Sequence, residues 1–240
     1  MKVALINFSG NVGKTTLRKH LLEPRMADAA VIELETINTG GGKGEHVTRM
    51  NGKHYGSLQE ILFDTDNAIV DIGASNVGEF INGMRQYQGS HGEFDYFIIP
   101  VVPDEKQKND TITTINALAA LGVPAKKIRL IFNRVEVDHD GLAPDLEILF
   151  PEIFGFHMQE KKFVLKTGAV VESNEVFKVL SGLPDTTLPK LLADDTDYRA
   201  KARTAASPDE KDHCRSMHIA KQLAMTANSN MDNVFNVIFK

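Results

Sequence analysis

Phe8-Ser9-Gly10-Asn11-Val12-Gly13-Lys14-Thr15-Thr16 combines the groups needed to hold a polyphosphate. Backbone N–H groups of such a loop, and of the helical turn after it, point at an anion, and the helix dipole adds to the attraction. Gly13 lets the backbone approach a phosphate closely. The Lys14 ammonium reaches the β- and γ-phosphates, and the Thr15 hydroxyl takes a Mg²⁺ position. The strict pattern G-x-x-x-x-G-K-[ST] is not met, because its first glycine falls on Phe8. A strand before, a helix after, Gly10 and the second threonine, Thr16, separate this loop from an ordinary turn. The implied ligands are ATP and Mg²⁺.

The loop needs a strand and a helix to position it. Val3 to Phe8 is a short apolar run, and from Lys14 the apolar pair Leu17 and Leu21 has helical spacing until Pro24. The alternation recurs. Strands are expected at Ala30–Leu34, Ala68–Ile72, Tyr96–Val102, Ile128–Phe132 and Phe163–Leu165. Helices follow from Val77, Phe80, Ile81 and Met84, from Ile112, Ile115, Leu118 and Leu121, and over Val176–Leu180. Solid apolar strands alternating with amphipathic helices imply an α/β fold of three layers, a mostly parallel central sheet flanked by helices. Ligands in such sheets sit beyond the carboxyl ends of the strands, where the polar residues above fall.

Residues 1–184 are expected to form the nucleotide-binding domain and 185–240 a C-terminal helical extension, packed on that domain or on a partner. Ser207-Pro208-Asp209-Glu210 reads as a helix start, with a serine cap, proline in the first turn and acids at the positive end of the dipole. Met231, Val234, Phe235 and Ile238 close the chain at helical spacing. A helix docking on its own core or on a second subunit is favoured over one lying on a membrane.

At 240 residues the chain can bury a full core. A net charge of −5 argues against a surface coated with positive charge for nucleic acid. The single cysteine, Cys214, cannot form an internal disulfide, which suits a reducing compartment. No run approaches the ~18 apolar residues of a membrane span. A cytoplasmic protein is expected.

Other residues carry weaker signals. Asp71, near the end of an apolar strand, is the kind of acid a Mg²⁺ beside the loop needs. Gly40-Gly41-Gly42-Lys43-Gly44 lacks a following Ser or Thr and reads as a switch-like loop rather than a second phosphate site. Asp138-His139-Asp140 lies in a turn with no second cluster at ligand spacing, so a plain loop is favoured over a metal site. Lys201, Arg203, Lys211, Arg215 and Lys221 are diluted by Asp209, Glu210 and Asp212, which leaves any DNA contact weak or indirect.

With these residues in hand, the chain resembles the ParA/MinD family of deviant Walker ATPases over about residues 1–184. The family loop K-G-G-x-G-K-[ST] falls on Ser9 to Thr15. Ile69-Val70-Asp71-Ile72-Gly73 resembles the second acidic motif, and the resemblance implies that Asp71 lies near Mg²⁺ and its waters. It also implies that Glu33 and Glu35 stand where family aspartates act on the metal and the attacking water. Glu33 is thus a candidate for the metal and Glu35 for catalysis, beside Lys14 and Asp71. Leu130-Ile131-Phe132-Asn133-Arg134 resembles the strand whose Asn contacts adenine, which puts Asn133 and Arg134 at the base. An ATP-bridged homodimer and a DNA-bound adaptor protein are further implications.

Two departures bear on mechanism. The signature lysine, which in the family crosses the dimer to the partner's phosphates, falls on Ser9; cations that reach a transferring phosphoryl are worth ~10³–10⁵ in rate. Lys43 is a candidate substitute. Asn11 replaces a glycine, and Asn is the residue besides Gly that best tolerates a left-handed backbone. Three functions follow: a partition or stability ATPase switched by nucleotide, a small-molecule ligase or kinase on the same scaffold, and a module that binds nucleotide without turnover.

Overall fold

The computed structural model describes residues 1–36, 47–138, 145–183 and 186–240. Strand β1 (Lys2–Leu5) lies at the centre of a seven-stranded sheet, flanked by β4 (Ala68–Ile72) and β5 (Tyr96–Val101). Beyond β4 come β2 (Ala30–Leu34) and the edge strand β3 (Val47–Met50); beyond β5 come β6 (Ile128–Val135) and β7 (Val170–Glu172). Every pairing is parallel, so the sheet is wholly rather than mostly parallel.

Side chains alternate across this sheet, as a strand repeat of two requires. Ala4, Val70, Phe97, Ile99, Leu130 and Phe132 face one layer, into which α2 (Tyr55–Asp64), α3 (Val77–Gln86), α4 (Glu105–Ala120), α5 (Leu146–Leu149) and α6 (Pro151–Glu160) bury apolar residues. Val3, Leu5, Ile69, Ile98 and Ile131 face the other. There they meet Leu17 of α1 (Lys14–Leu17), Leu21 just after it, and α7 (Val176–Ser181), α8 (Leu188–Ala193), α9 (Tyr198–Arg203) and α10 (Pro208–Phe239).

Three differences from the sequence expectation have physical causes. Strand β3 carries no clear apolar signal, because its Thr48 and Arg49 are exposed, and helix α2, which the sequence reading did not include, buries Tyr55, Leu58 and Leu62 at helical spacing. Phe163–Leu165 contributes only one bridge, Val164 to Arg129, and the pairing passes to β7, where Val171 is buried. The last helix is a single 32-residue rod, about 48 Å long at 1.5 Å per residue. Its cap forms as its sequence indicates: Ser207 accepts the Glu210 N–H at 3.1 Å, and the Glu210 carboxylate takes the Ala206 N–H at 2.8 Å. Cys214, Met217, Ala220, Ala224, Ala227, Met231, Val234 and Ile238 form its buried stripe against the sheet face that also receives α1. No helix among the described residues is long and apolar enough to cross a membrane.

Candidate functional site

The phosphate loop is fixed from three sides. Asn7, fully buried at the end of the central strand, donates to the Pro100 carbonyl at 2.9 Å and to the Thr111 hydroxyl at 2.8 Å. Its side-chain Oδ1 accepts the Ser9 N–H at 2.8 Å. Thr114, also on α4, accepts the Phe8 N–H at 3.0 Å. From the other side Asn133, at the end of β6, donates to the Val12 carbonyl at 2.8 Å. Asn11 has φ 58° and Gly13 φ 87°, so the asparagine does take the left-handed backbone that a glycine would otherwise supply. A Cβ on Gly13 would overlap the Asn133 amide.

Gly13 is the cap of α1, and no side chain caps it. The first turn of a helix leaves its amides without intrahelical acceptors, here those of Lys14, Thr15 and Thr16. The Lys14 side chain is buried and donates to the carbonyls of Asn7 at 3.1 Å and Ser9 at 2.9 Å. Burial lowers its pKa to about 8, and the nearby Asp71 charge pulls partly the other way. Thr15 donates to Asp71 Oδ2 at 3.3 Å. Burial pushes the Asp71 carboxyl up, opposed first by Arg18 and then by Lys14. The loop, one ammonium, one hydroxyl and one carboxylate thus meet at the carboxyl edge of β1 and β4, where Leu5 and Asp71 are register partners.

For Mg²⁺, Thr15 and Asp71 are suitably paired: a hydroxyl and a carboxylate already within reach of each other. Glu33 is placed differently. It pairs in register with Asp71 on one side and with Arg49 on the other. One oxygen accepts from Arg18 at 2.6 Å and the other from Arg49 at 2.7 Å, so holding a metal would require it to release an arginine. Glu35, past the end of β2, is exposed, its N–H donates to the Met50 carbonyl at 3.0 Å, and its charge acts on Arg49. Among those residues no group of three His, Cys, Asp or Glu is arranged to hold a metal.

Asn133 is buried with its amide nitrogen turned to the loop. It and Thr16, Arg134, Glu172, Ser173 and Asn174 line a cavity of about 330 Å³ beside α1. Arg134 is exposed at a break in the β6–β7 register with φ 57°, a conformation rare for a non-glycine residue. It also lines a second space, about 460 Å³, against Asn11, Pro103 and Gln107. A larger cleft of about 510 Å³, between α7 and α10, touches none of the loop residues. The glycine-rich segment with Lys43, and His139 with Asp140, lie outside the described residues.

Arg18 was not anticipated from sequence. Its guanidinium is 2% exposed and contacts Glu23, Glu33 and Asp71, the last at 3.4 Å. The helix widens from α to π geometry at this residue, a local change often found at functional sites. One signal was available: Lys14, Leu17, Arg18 and Leu21 share a helical face, so the arginine lies on the side that Leu17 and Leu21 bury. Asn7, Thr111 and Thr114 carry no comparable signal, because their pairing depends on the approach of α4.

No protein-family model matches the chain, and no curated protein matches it in sequence. Solved structures do. Cyanothece McdA in complex with ATP is 12% identical, with TM-score 0.51 over 92% of this chain and 96% of that one. MinD cell division protein from Aquifex aeolicus gives 12% and 0.51 over 96% of each. A Borrelia burgdorferi protein described as acting in plasmid partition, bound to AMPPNP, gives 12% and 0.50 over 91% and 97%. The fold is that of the ParA/MinD-type P-loop ATPases. At such low identity the likeness concerns architecture, and the chemistry rests on the residues described above.

Proposed function

We propose that this chain is an ATP-binding switch of the ParA type, acting in plasmid stability or partition and similar to the stability ATPase StbB. The observation that carries it is the convergence of Lys14, Thr15 and Asp71 around a loop held open by Asn11 and Gly13. The amides from Gly10 to Thr16 would cradle the phosphates, with Lys14 on the β- and γ-groups. Thr15 and Asp71 would hold Mg²⁺, which when bound offsets phosphate charge. The base would lie in the cavity edged by Asn133 and Arg134. Glu35, whose carboxylate is exposed where that of Glu33 is hydrogen-bonded by Arg18 and Arg49, would orient the attacking water. McdA and the Borrelia protein, solved with ATP and AMPPNP, lend support through their shared fold.

In this function ATP would bridge a cytoplasmic homodimer that recruits a DNA-bound adaptor, with any direct DNA contact weak. Ser9 supplies no cation where relatives carry one, which favours slow turnover or turnover only with a partner. It also supports a second reading, a module that holds nucleotide without hydrolysing it. Phosphate release and oligomeric state, each measured with and without ATP, DNA and candidate adaptor, separate the two. ATP-dependent dimers with stimulated release support the switch, ATP binding without release under any condition supports the module, and a monomer under every condition removes the switch.

A further inference from the structure

Arg18 lies between the carboxylates of Glu33 and Asp71. Its Nη2 lies 2.6 Å from Glu33 Oε1 and its Nε 3.4 Å from Asp71 Oδ2, and its remaining arm meets Glu23. The register explains the geometry. Glu33 and Asp71 are adjacent in neighbouring strands, on the face that α1 covers, so a long cation from the first two turns of that helix lies over both. Arg49 takes the other oxygen of Glu33. Arg18, Arg49 and Lys14 therefore already balance Glu23, Glu33 and Asp71. A guanidinium is the cation suited to such a place, because its planar fork bonds several oxygens at once and stays charged when buried.

We propose that Arg18 is a built-in counter-ion that keeps divalent metal off the Glu33–Asp71 pair until nucleotide binds, so that Mg²⁺ enters only with the nucleotide and is then held through Thr15, Asp71 and the phosphates. Arg18 is a positioning residue in this scheme, acting through Asp71 on the metal. Two consequences follow: the protein without nucleotide has little affinity for a divalent ion, and metal and nucleotide tighten one another's binding.

The first test titrates Mn²⁺ alone into the full-length protein and into Arg18→Gln, reading bound metal by electron paramagnetic resonance. The variant is expected to bind at least about tenfold more tightly, the scale on which groups surrounding a site alter metal affinity. Equal affinities would overturn the proposal. The second needs no variant and remains decisive should Arg18→Gln fail to fold. The affinity of wild-type protein for the fluorescent nucleotide mant-ATP is compared in excess Mg²⁺ and in EDTA. Binding at least about tenfold tighter in Mg²⁺ is expected, within the usual range of coupling between two ligands, and a smaller ratio would contradict it. For this second arm, which rests on the function proposed above, no mant-ATP binding in either buffer would remove that function, and the Mn²⁺ comparison would then decide the role of Arg18 alone.

Discussion

The Asn133 amide donates to the Val12 carbonyl at 2.8 Å, tying the end of β6 to the middle of the phosphate loop across 121 positions of sequence. The same amide sits where a Cβ on Gly13 would have to go. Asn133→Ala is expected to cost about 1–3 kcal/mol, the penalty for leaving a buried acceptor unpaired. Gly13→Ala should cost more, since it adds the overlap to backbone strain at φ 87° worth about 1–3 kcal/mol. Because removing the Asn133 side chain relieves the overlap, the double variant should lose less than the sum of the singles. Urea unfolding of all four proteins checks this.

Lys14 gives the site a pH signature. Burial holds its ammonium at about 8, below the ordinary 10.5, with Asp71 opposing. The unfolded chain therefore carries the extra proton between those two values, and the contribution of Lys14 to stability rises as pH climbs through that window. ATP affinity should move oppositely, because the cradle needs the charged form. Denaturation measured at about pH 7 and about pH 9 should show the stability rise in wild type and lose it in Lys14→Met. ATP binding by wild type should weaken over the same range.

His20 works on the acid side. It is buried against Phe177, with ring centroids 5.7 Å apart, and its pKa is lowered to about 4 by burial first and by Lys19 and Arg18 after it. A depressed histidine is neutral in the fold, so its contribution is complete above the ordinary 6.5 and is lost as pH falls towards 4. His20→Gln should flatten that loss. Unfolding midpoints of the two proteins across the acid range would show parallel slopes if the imidazole is not involved.

The C-terminal helix should matter to the fold as a whole. Met231 is fully buried beneath it and Met225 is 66% exposed on its outer side. Met231→Ala is expected to cost about 2–5 kcal/mol as a core truncation, and Met225→Ala to stay within about 0.5 kcal/mol. Thermal or urea unfolding distinguishes a helix integral to the core from a removable appendage, for which both changes would be mild.

Much of the architecture was legible because buried parallel strands such as Tyr96–Val101 read as solid apolar runs. The edge strand with Thr48 and Arg49 was not, since an exposed strand has no such run. Met231, Val234 and Ile238 announced the last helix, but Ala220, Ala224 and Ala227, which extend its buried stripe, look the same in a loop as in a core. The phosphate loop was legible through Gly13, Lys14 and Thr15. Arg18 was not, because a charged helix residue normally faces water; its spacing from Leu17 and Leu21 marks the buried side, but only the strand register that brings Glu33 beside Asp71 shows what it meets there.

The decisive measurement is the affinity of ATP for the intact protein and for Lys14→Ala, by calorimetry, with folding of the variant confirmed by its unfolding midpoint. Binding should be measurable in the first and weaker by at least about thirtyfold in the second, the lower end of what losing one desolvated charge contact costs. Equal affinities, or no binding to the intact protein, would contradict a triphosphate cradle at the start of α1.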